Sequence, residues 1–288
     1  MTNRLPEWLR NKSPLVAETN PVREVLTELK LNTVCSSARC PNQGQCYSEG
    51  TATFLILGNV CTRNCGFCAV NKGTAQPVDR DEPERILEAV ARLKLSHVVI
   101  TSVTRDDLFD GGAFQFAQII KIIKGKLAGV SVEVLTPDFS GNRDSILTVA
   151  EAGPDIYNHN LETVPRLYEK IRPEADYRRS IELLELVKSQ ENKVLTKSGI
   201  MVGLGETAKE VEGVMDDLRA IDCDIITIGQ YLQPKREHFQ VVEYVKPEIF
   251  EDWERIALRK GFKHVASGPL VRSSFHASLN FPREDNPL

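Results

Sequence analysis

Six short apolar, β-prone runs alternate with segments whose apolar residues recur at helical spacing, and together they predict an α/β protein. The expected architecture is a partial (β/α)6 TIM-type barrel with an N-terminal arm and a C-terminal extension. Continuous apolar strands joined by helices pack as a parallel sheet, and six such units suffice for an open barrel. The 288 residues contain 41% hydrophobic and 26% charged side chains, which suits one large globular core without repeat, linker or low-complexity tract.

Residues 1–50 form the arm, irregular and rich in Pro, Asn and Ser, with a short helix expected over 22–29. The six strands are expected at 52–57, 97–101, 130–135, 155–157, 199–202 and 225–228. Between them, Ile86, Leu87, Val90 and Leu93 share one helical face, as do Phe116, Ile119, Ile120 and Ile123. Val211, Val214, Met215 and Leu218 form a third such stripe. Pro83 suits a first helical turn, Gly153 the residue after a helix end, and Thr207 with Glu210 a capping box. Two helical stretches, 164–171 and 177–188, flank Pro173, and a last helix over 247–260 stops at Gly261. The division is therefore an arm (1–50), the barrel (51–235) and a C-terminal helix and tail (236–288).

A formal net charge of −4 disfavours broad electrostatic binding to nucleic acid or anionic membrane. No apolar run approaches the roughly 20 residues that span a bilayer. Residues 1–14 hold no hydrophobic signal core, so a cytoplasmic location is expected.

Cysteine carries the chemical signal. Of seven, six lie between Cys35 and Cys68, and such clustering in a reducing compartment points to metal or catalysis rather than disulfides. Cys61-Thr-Arg-Asn-Cys65-Gly-Phe-Cys68 follows the first strand, at the barrel face where chemistry gathers. Three thiolates can hold three irons of a four-iron cluster, whose complete ligation requires four, and the remaining iron is open to a small molecule. A zinc knuckle would need a fourth ligand, and no nearby histidine offers one. The spacing resembles that of radical S-adenosylmethionine enzymes. By that resemblance the cofactor's amino and carboxylate groups chelate the open iron, and an electron from the cluster releases a deoxyadenosyl radical.

The second triplet, Cys35-Ser-Ser-Ala-Arg-Cys40-Pro-Asn-Gln-Gly-Gln-Cys46, lies in the arm. A second iron–sulfur cluster fits it better than a stapled loop. Lipoyl synthases pair this triplet with the first and add a serine from a C-terminal Arg-Ser-Ser motif; this chain, which resembles them, has Arg272-Ser273-Ser274. The resemblance implies Ser274 as fourth ligand of the auxiliary cluster, an oxygen harder than the thiolates around it. Phe275 stands where the family often has tyrosine, which leaves the serine intact. An isolated Ser-Ser pair would read as a polar cap; the paired triplets turn it toward a ligand.

The likeness runs from about Leu5 to Ala277 through Asn158-His159-Asn160-Leu161-Glu162, Lys197-Ser198-Gly199, Gly203-Leu204-Gly205-Glu206 and Gly229-Gln230-Tyr231-Leu232-Gln233-Pro234. It implies two 4Fe–4S clusters and S-adenosylmethionine. The implied reaction is insertion of sulfur at carbons six and eight of an octanoyl group amide-linked to a lysine of a lipoyl carrier domain or glycine cleavage H protein. In that scheme the auxiliary cluster is consumed as sulfur donor. A reducing electron-transfer protein and an iron–sulfur cluster carrier are the further partners.

By the same resemblance Asn158 and Glu162 help hold the cofactor, although helix starts attract acidic residues too. Gly203 and Gly205 permit close backbone approach, or serve a turn. Arg178 could meet a carboxylate bidentately, or make solvated contacts on a helix surface. His97 reads as a core residue, His159 and His276 form no metal pair, and Cys223 reads as a buried inert thiol. Two rivals remain: a methylthiotransferase, which lacks the arm triplet and tail serine, and a non-catalytic iron–sulfur protein, which would not cleave the cofactor.

Overall fold

The structure, a computed structural model, describes residues 5–10, 16–190 and 193–274; Phe275, His276 and Ala277 lie outside the described residues. Ten strands are present among them: β1 (Asn32–Thr33), β2 (Thr53–Ile56), β3 (Val60–Cys61), β4 (Asn71–Lys72), β5 (His97–Ser102), β6 (Ser131–Leu135), β7 (Ile156–Asn158), β8 (Leu195–Val202), β9 (Ile225–Gln230) and β10 (His264–Gly268). Eight form one sheet in the order β1-β2-β5-β6-β7-β8-β9-β10, while β3 and β4 pair separately. From β2 to β10 every neighbour in the large sheet is parallel; β1 alone runs antiparallel, on β2. The two edges do not pair, so the barrel is open.

The ten helices are α1 (Val16–Glu28), α2 (Val34–Ser37), α3 (Gln43–Ser48), α4 (Glu82–Arg92), α5 (Ala113–Lys126), α6 (Arg143–Glu151), α7 (Tyr168–Ile171), α8 (Tyr177–Lys188), α9 (Ala208–Ala220) and α10 (Pro247–Lys260). The stripes read from the sequence face inward: Ile86 and Val90, Phe116 to Ile123, and Val211 to Leu218 pack with Phe54, Ile100 and Val134 from the strands. Each fully buried aliphatic side chain stabilises the fold by about 1.5–3 kcal/mol. The Thr207–Glu210 capping box is formed, and Gly261 ends α10 at φ 95°.

Six expected strands appear, but the boundaries shift for physical reasons. β8 starts at Leu195 rather than 199 because Lys197, an unpromising strand residue, is wholly buried and ion-paired to Glu133 on β6 at 2.9 Å. β10, half-buried and made of small or polar residues, adds a strand from the C-terminal extension. The stretch at 164–171 is a 3₁₀ turn, Pro165–Leu167, followed by the single turn of α7. Every loop that follows a strand of the parallel sheet opens on one face, and the triplet at Cys61, Cys65 and Cys68 follows β2 there.

Candidate active site

The first triplet is fixed by partners from separate parts of the barrel. After β2 the chain turns through Leu57 (φ 65°), whose amide donates to the buried Glu82 carboxylate at 3.0 Å. The Thr62 amide then donates to Thr104 O (3.1 Å), the Gly66 amide to Ile171 O (2.8 Å) and the Phe239 amide to Gly66 O (2.9 Å). His238 Nε2 donates to Cys68 O at 3.0 Å. Arg63, between the first two cysteines and only 6% exposed, is held by Asp106 and Asp138, each at 2.7 Å. Arg179 Nε approaches the other Asp138 oxygen at 3.0 Å, so the carboxylate between two guanidiniums is kept ionised.

Burial pushes the Cys68 thiol up to about 12 and Cys65 upward too, where the Arg172 guanidinium opposes it. Cys61 adds like-charge repulsion at both positions, and Cys65 adds more at Cys68. Repulsion of this kind opposes ionising the thiols together, and bound cations would relieve it.

The second triplet is held largely by its own arm. The Thr33 side chain caps α2 and meets Tyr47 Oη at 2.8 Å, while Gln43 Nε2 donates to Ser36 Oγ at 2.7 Å. The Cys40 amide donates to Cys35 O (3.0 Å) and the Cys46 amide to Asn42 O (2.9 Å). Burial raises Cys35 to about 11 and Cys46 to about 12, with mutual repulsion among the three thiols adding to it. All seven cysteines are free. Among the described residues no three His, Cys, Asp or Glu side chains are close enough to share one metal ion, whereas a cluster sets each thiolate on its own iron. Desolvated, all-sulfur triplets match the soft donor set of an iron–sulfur cluster.

Between the triplets lies a cavity of about 420 Å³. Cys35 and Cys40 line one side, and Phe67 and Ala69, which flank Cys68, line another. Glu162 and Asn160 enter from the loop after β7, and Ser273 and Ser274 from the tail. Leu135, Ile200, Met201 and Leu232 make much of the remaining wall apolar. Glu162 sits at φ 67°, a left-handed conformation that non-glycine residues adopt at an energetic cost. Its amide donates to Gly199 O and its carbonyl accepts from Met201 N, both at 2.9 Å, so β8 enforces that geometry. Burial raises the Glu162 carboxyl, while Arg172 and Asn160 counter it.

Ser274 lines the same cavity as Cys35 and Cys40. Asn158 is wholly buried and does not line the cavity; its Nδ2 donates to Glu133 Oε1 at 3.1 Å. Arg178 is exposed on α8 and does not line the cavity. Besides Arg63, the guanidiniums near the cysteines belong to buried Arg172, which donates to Asn160 O at 3.0 Å, and half-buried Arg272, close to Cys40 and Glu162. Gly203 and Gly205 also stand off the cavity wall, in a turn closed by the Glu206 carboxylate on the amides of Gly203 (2.6 Å) and Leu204 (2.9 Å). The glycines that do line it are Gly199 and Gly229. A Cβ on Gly229 would stand 2.1 Å from Val271 O, and one on Gly199 2.5 Å from Thr227 Oγ1. Cys223 is buried with its sulfur near two backbone carbonyls, as an inert thiol would be. His97, with a side chain 5% exposed, packs by Ser131 and Glu133 in the barrel interior.

Comparisons with known proteins give the family. The radical SAM superfamily matches residues 55–218, and the N-terminal domain of lipoyl synthase matches residues 1–40. A lipoyl synthase from Caldanaerobacter subterraneus subsp. tengcongensis is 60% identical over 279 residues, 97% of this chain and 98% of that protein. The chain belongs to the lipoyl synthase family. A second member, from Alkaliphilus metalliredigens, is 53% identical over 96% of this chain and 95% of its own. Among solved structures, methylornithine synthase shares the fold with a TM-score of 0.53 at 16% identity, covering 93% of this chain and 88% of that one. An FeFe-hydrogenase maturase gives 0.57 at 14%, covering 86% and 63%. Membership of the lipoyl synthase family makes this protein a radical SAM sulfurtransferase.

Proposed function

We propose that this enzyme completes lipoyl cofactor synthesis by inserting two sulfur atoms, at carbons six and eight, into an octanoyl group amide-linked to a lysine. The substrate lysine belongs to a lipoyl carrier domain or to the glycine cleavage H protein. The observation that carries the reading is the shared cavity wall of Cys35, Cys40, Glu162 and Ser274.

Cys61, Cys65 and Cys68 would hold three irons of one 4Fe–4S cluster, and Cys35, Cys40, Cys46 and Ser274 the other. When bound, these clusters with S-adenosylmethionine supply a radical able to abstract unactivated hydrogen, and the sulfide that replaces it. The chain supplies everything else. Glu162, on the cavity wall, and Asn158 hold and orient the cofactor. Gly203 and Gly205 act on it indirectly, by turning the chain after β8. The apolar wall aligns the acyl chain and keeps out water and competing hydrogen donors. Ser274 would be the one oxygen ligand of the second cluster, a hard donor among thiolates and so the one most readily exchanged.

A reducing electron-transfer protein and an iron–sulfur cluster carrier complete the set of partners. Free thiols throughout support a cytoplasmic setting; among the described residues no helix is long and apolar enough to cross a membrane. The test is anaerobic reconstitution followed by mass spectrometry of an octanoyl-lysine peptide. A gain of two sulfurs through a mono-thiolated intermediate is expected. Absence of both species with two reduced clusters present, or elemental analysis with iron for one cluster only, overturns the reading.

A further inference from the structure

The segment that follows β10 and carries Ser274 reaches the arm. Three contacts fix it. Asn42, between Cys40 and Cys46, is 1% exposed and its Nδ2 donates to Leu270 O at 2.7 Å. Asn42 is also the N-cap residue of α3, yet its side chain makes no capping hydrogen bond there. The tail then lies flat against β9, because Gly229 has no Cβ to meet Val271 O. Beyond it, Asn160 Nδ2 donates to Ser273 Oγ at 3.2 Å and to Glu162 Oε1 at 3.1 Å. The Val271 amide closes the turn by donating to Gly268 O at 3.1 Å.

We infer that Asn42 and Asn160 are positioning residues that clamp the tail over the glycine bed of β9, so that Ser274 stands beside Cys35 and Cys40 before any cluster is present. The clamp is a property of the polypeptide; its use in ligation rests on the function proposed above. Asn42 ties the serine to the arm, and Asn160 ties it to the residue that faces the cofactor. One amide side chain thereby links the two halves of the cavity.

Hydrogen–deuterium exchange of the full chain, read by mass spectrometry in cluster-free and reconstituted forms, tests it. Asn42→Ala and Asn42→Asp both lose the donor, and the second keeps the side-chain shape. Exchange at residues 268–274 is expected to rise about tenfold in both, the factor one buried hydrogen bond supplies, with peptides from β5 and β6 unchanged. Chelator extraction of iron should quicken by a similar factor for the second cluster and stay constant for the first. Unchanged tail exchange overturns the inference, and so does a rise spread evenly over the barrel, which would mark Asn42 as a folding residue only. An unaltered chain that holds a single cluster refutes the proposed function, while faster tail exchange in the variants would still support the clamp.

Discussion

The two cysteine triplets are built by opposite means. The one at Cys61, Cys65 and Cys68 is pinned by backbone hydrogen bonds from Thr104, Ile171 and Phe239 and by the buried Arg63–Asp138 pair, so it cannot move without moving the barrel. The one at Cys35, Cys40 and Cys46 is closed mainly by bonds within residues 33–51, with Asn42 reaching out to the tail. Segments with few long-range bonds open locally at low free energy. The contrast suits the function proposed above, in which the first cluster would be kept and the second dismantled and rebuilt.

Cysteine replacement gives the largest expected break in that contrast. Cys65→Ala should reduce deoxyadenosine formation to background while iron stays bound at the arm. Cys40→Ala should leave deoxyadenosine formation intact and abolish thiolated product. Both are read by anaerobic assay with iron analysis, and loss of both clusters in either variant would contradict separate construction. Ser274→Cys is the next step down: the second cluster should persist with normal absorbance, and product should stall. Normal double sulfur insertion by that variant would remove the proposed purpose of the oxygen ligand.

Removing Arg63 tests how firmly the barrel holds its loop. Breaking a buried ion pair costs about 3–5 kcal/mol, and Asp138 keeps Arg179, so Arg63→Ala should fall at the lower end. Urea midpoints should drop and iron at the first site with them, while the arm retains its own.

Acid offers a milder test of the same side. Burial lowers His159 to about 4 from an ordinary 6.5, with Arg172 adding to the effect and Asp138 opposing it. As pH falls below 6.5 the unfolded chain takes up this proton first, so stability declines by about 1.4 kcal/mol per unit and levels off near 4. The cluster-free chain should show that slope in urea denaturation, and His159→Gln should flatten it. The smallest effect belongs to Thr207→Ala, which removes a cap distant from both triplets: about 1 kcal/mol of stability and no change in iron at either site.

Much of this was legible beforehand because apolar periodicity and cysteine spacing are local properties. Ile86 and Phe116 announce their helices, and the two triplets announce their chemistry, without knowledge of the fold. What stayed hidden depends on pairing across the chain. Lys197 masks the start of β8 until Glu133 is seen beside it. Arg178 and Arg172 look equivalent in sequence, and burial alone separates them. Gly203 and Gly205 are conspicuous as a motif, yet Gly199 and Gly229 meet the cavity, since close approach is decided by what packs opposite. Arg63 stood inside the first triplet, where its flanking cysteines drew attention from it.

The hydrogen bond between Asn42 and Leu270 joins positions 228 residues apart. A chain emerging from the ribosome presents Asn42 long before Leu270. The centre proposed to use Ser274 is therefore completed only once that serine has been made, and iron delivered earlier would meet three thiols and no oxygen.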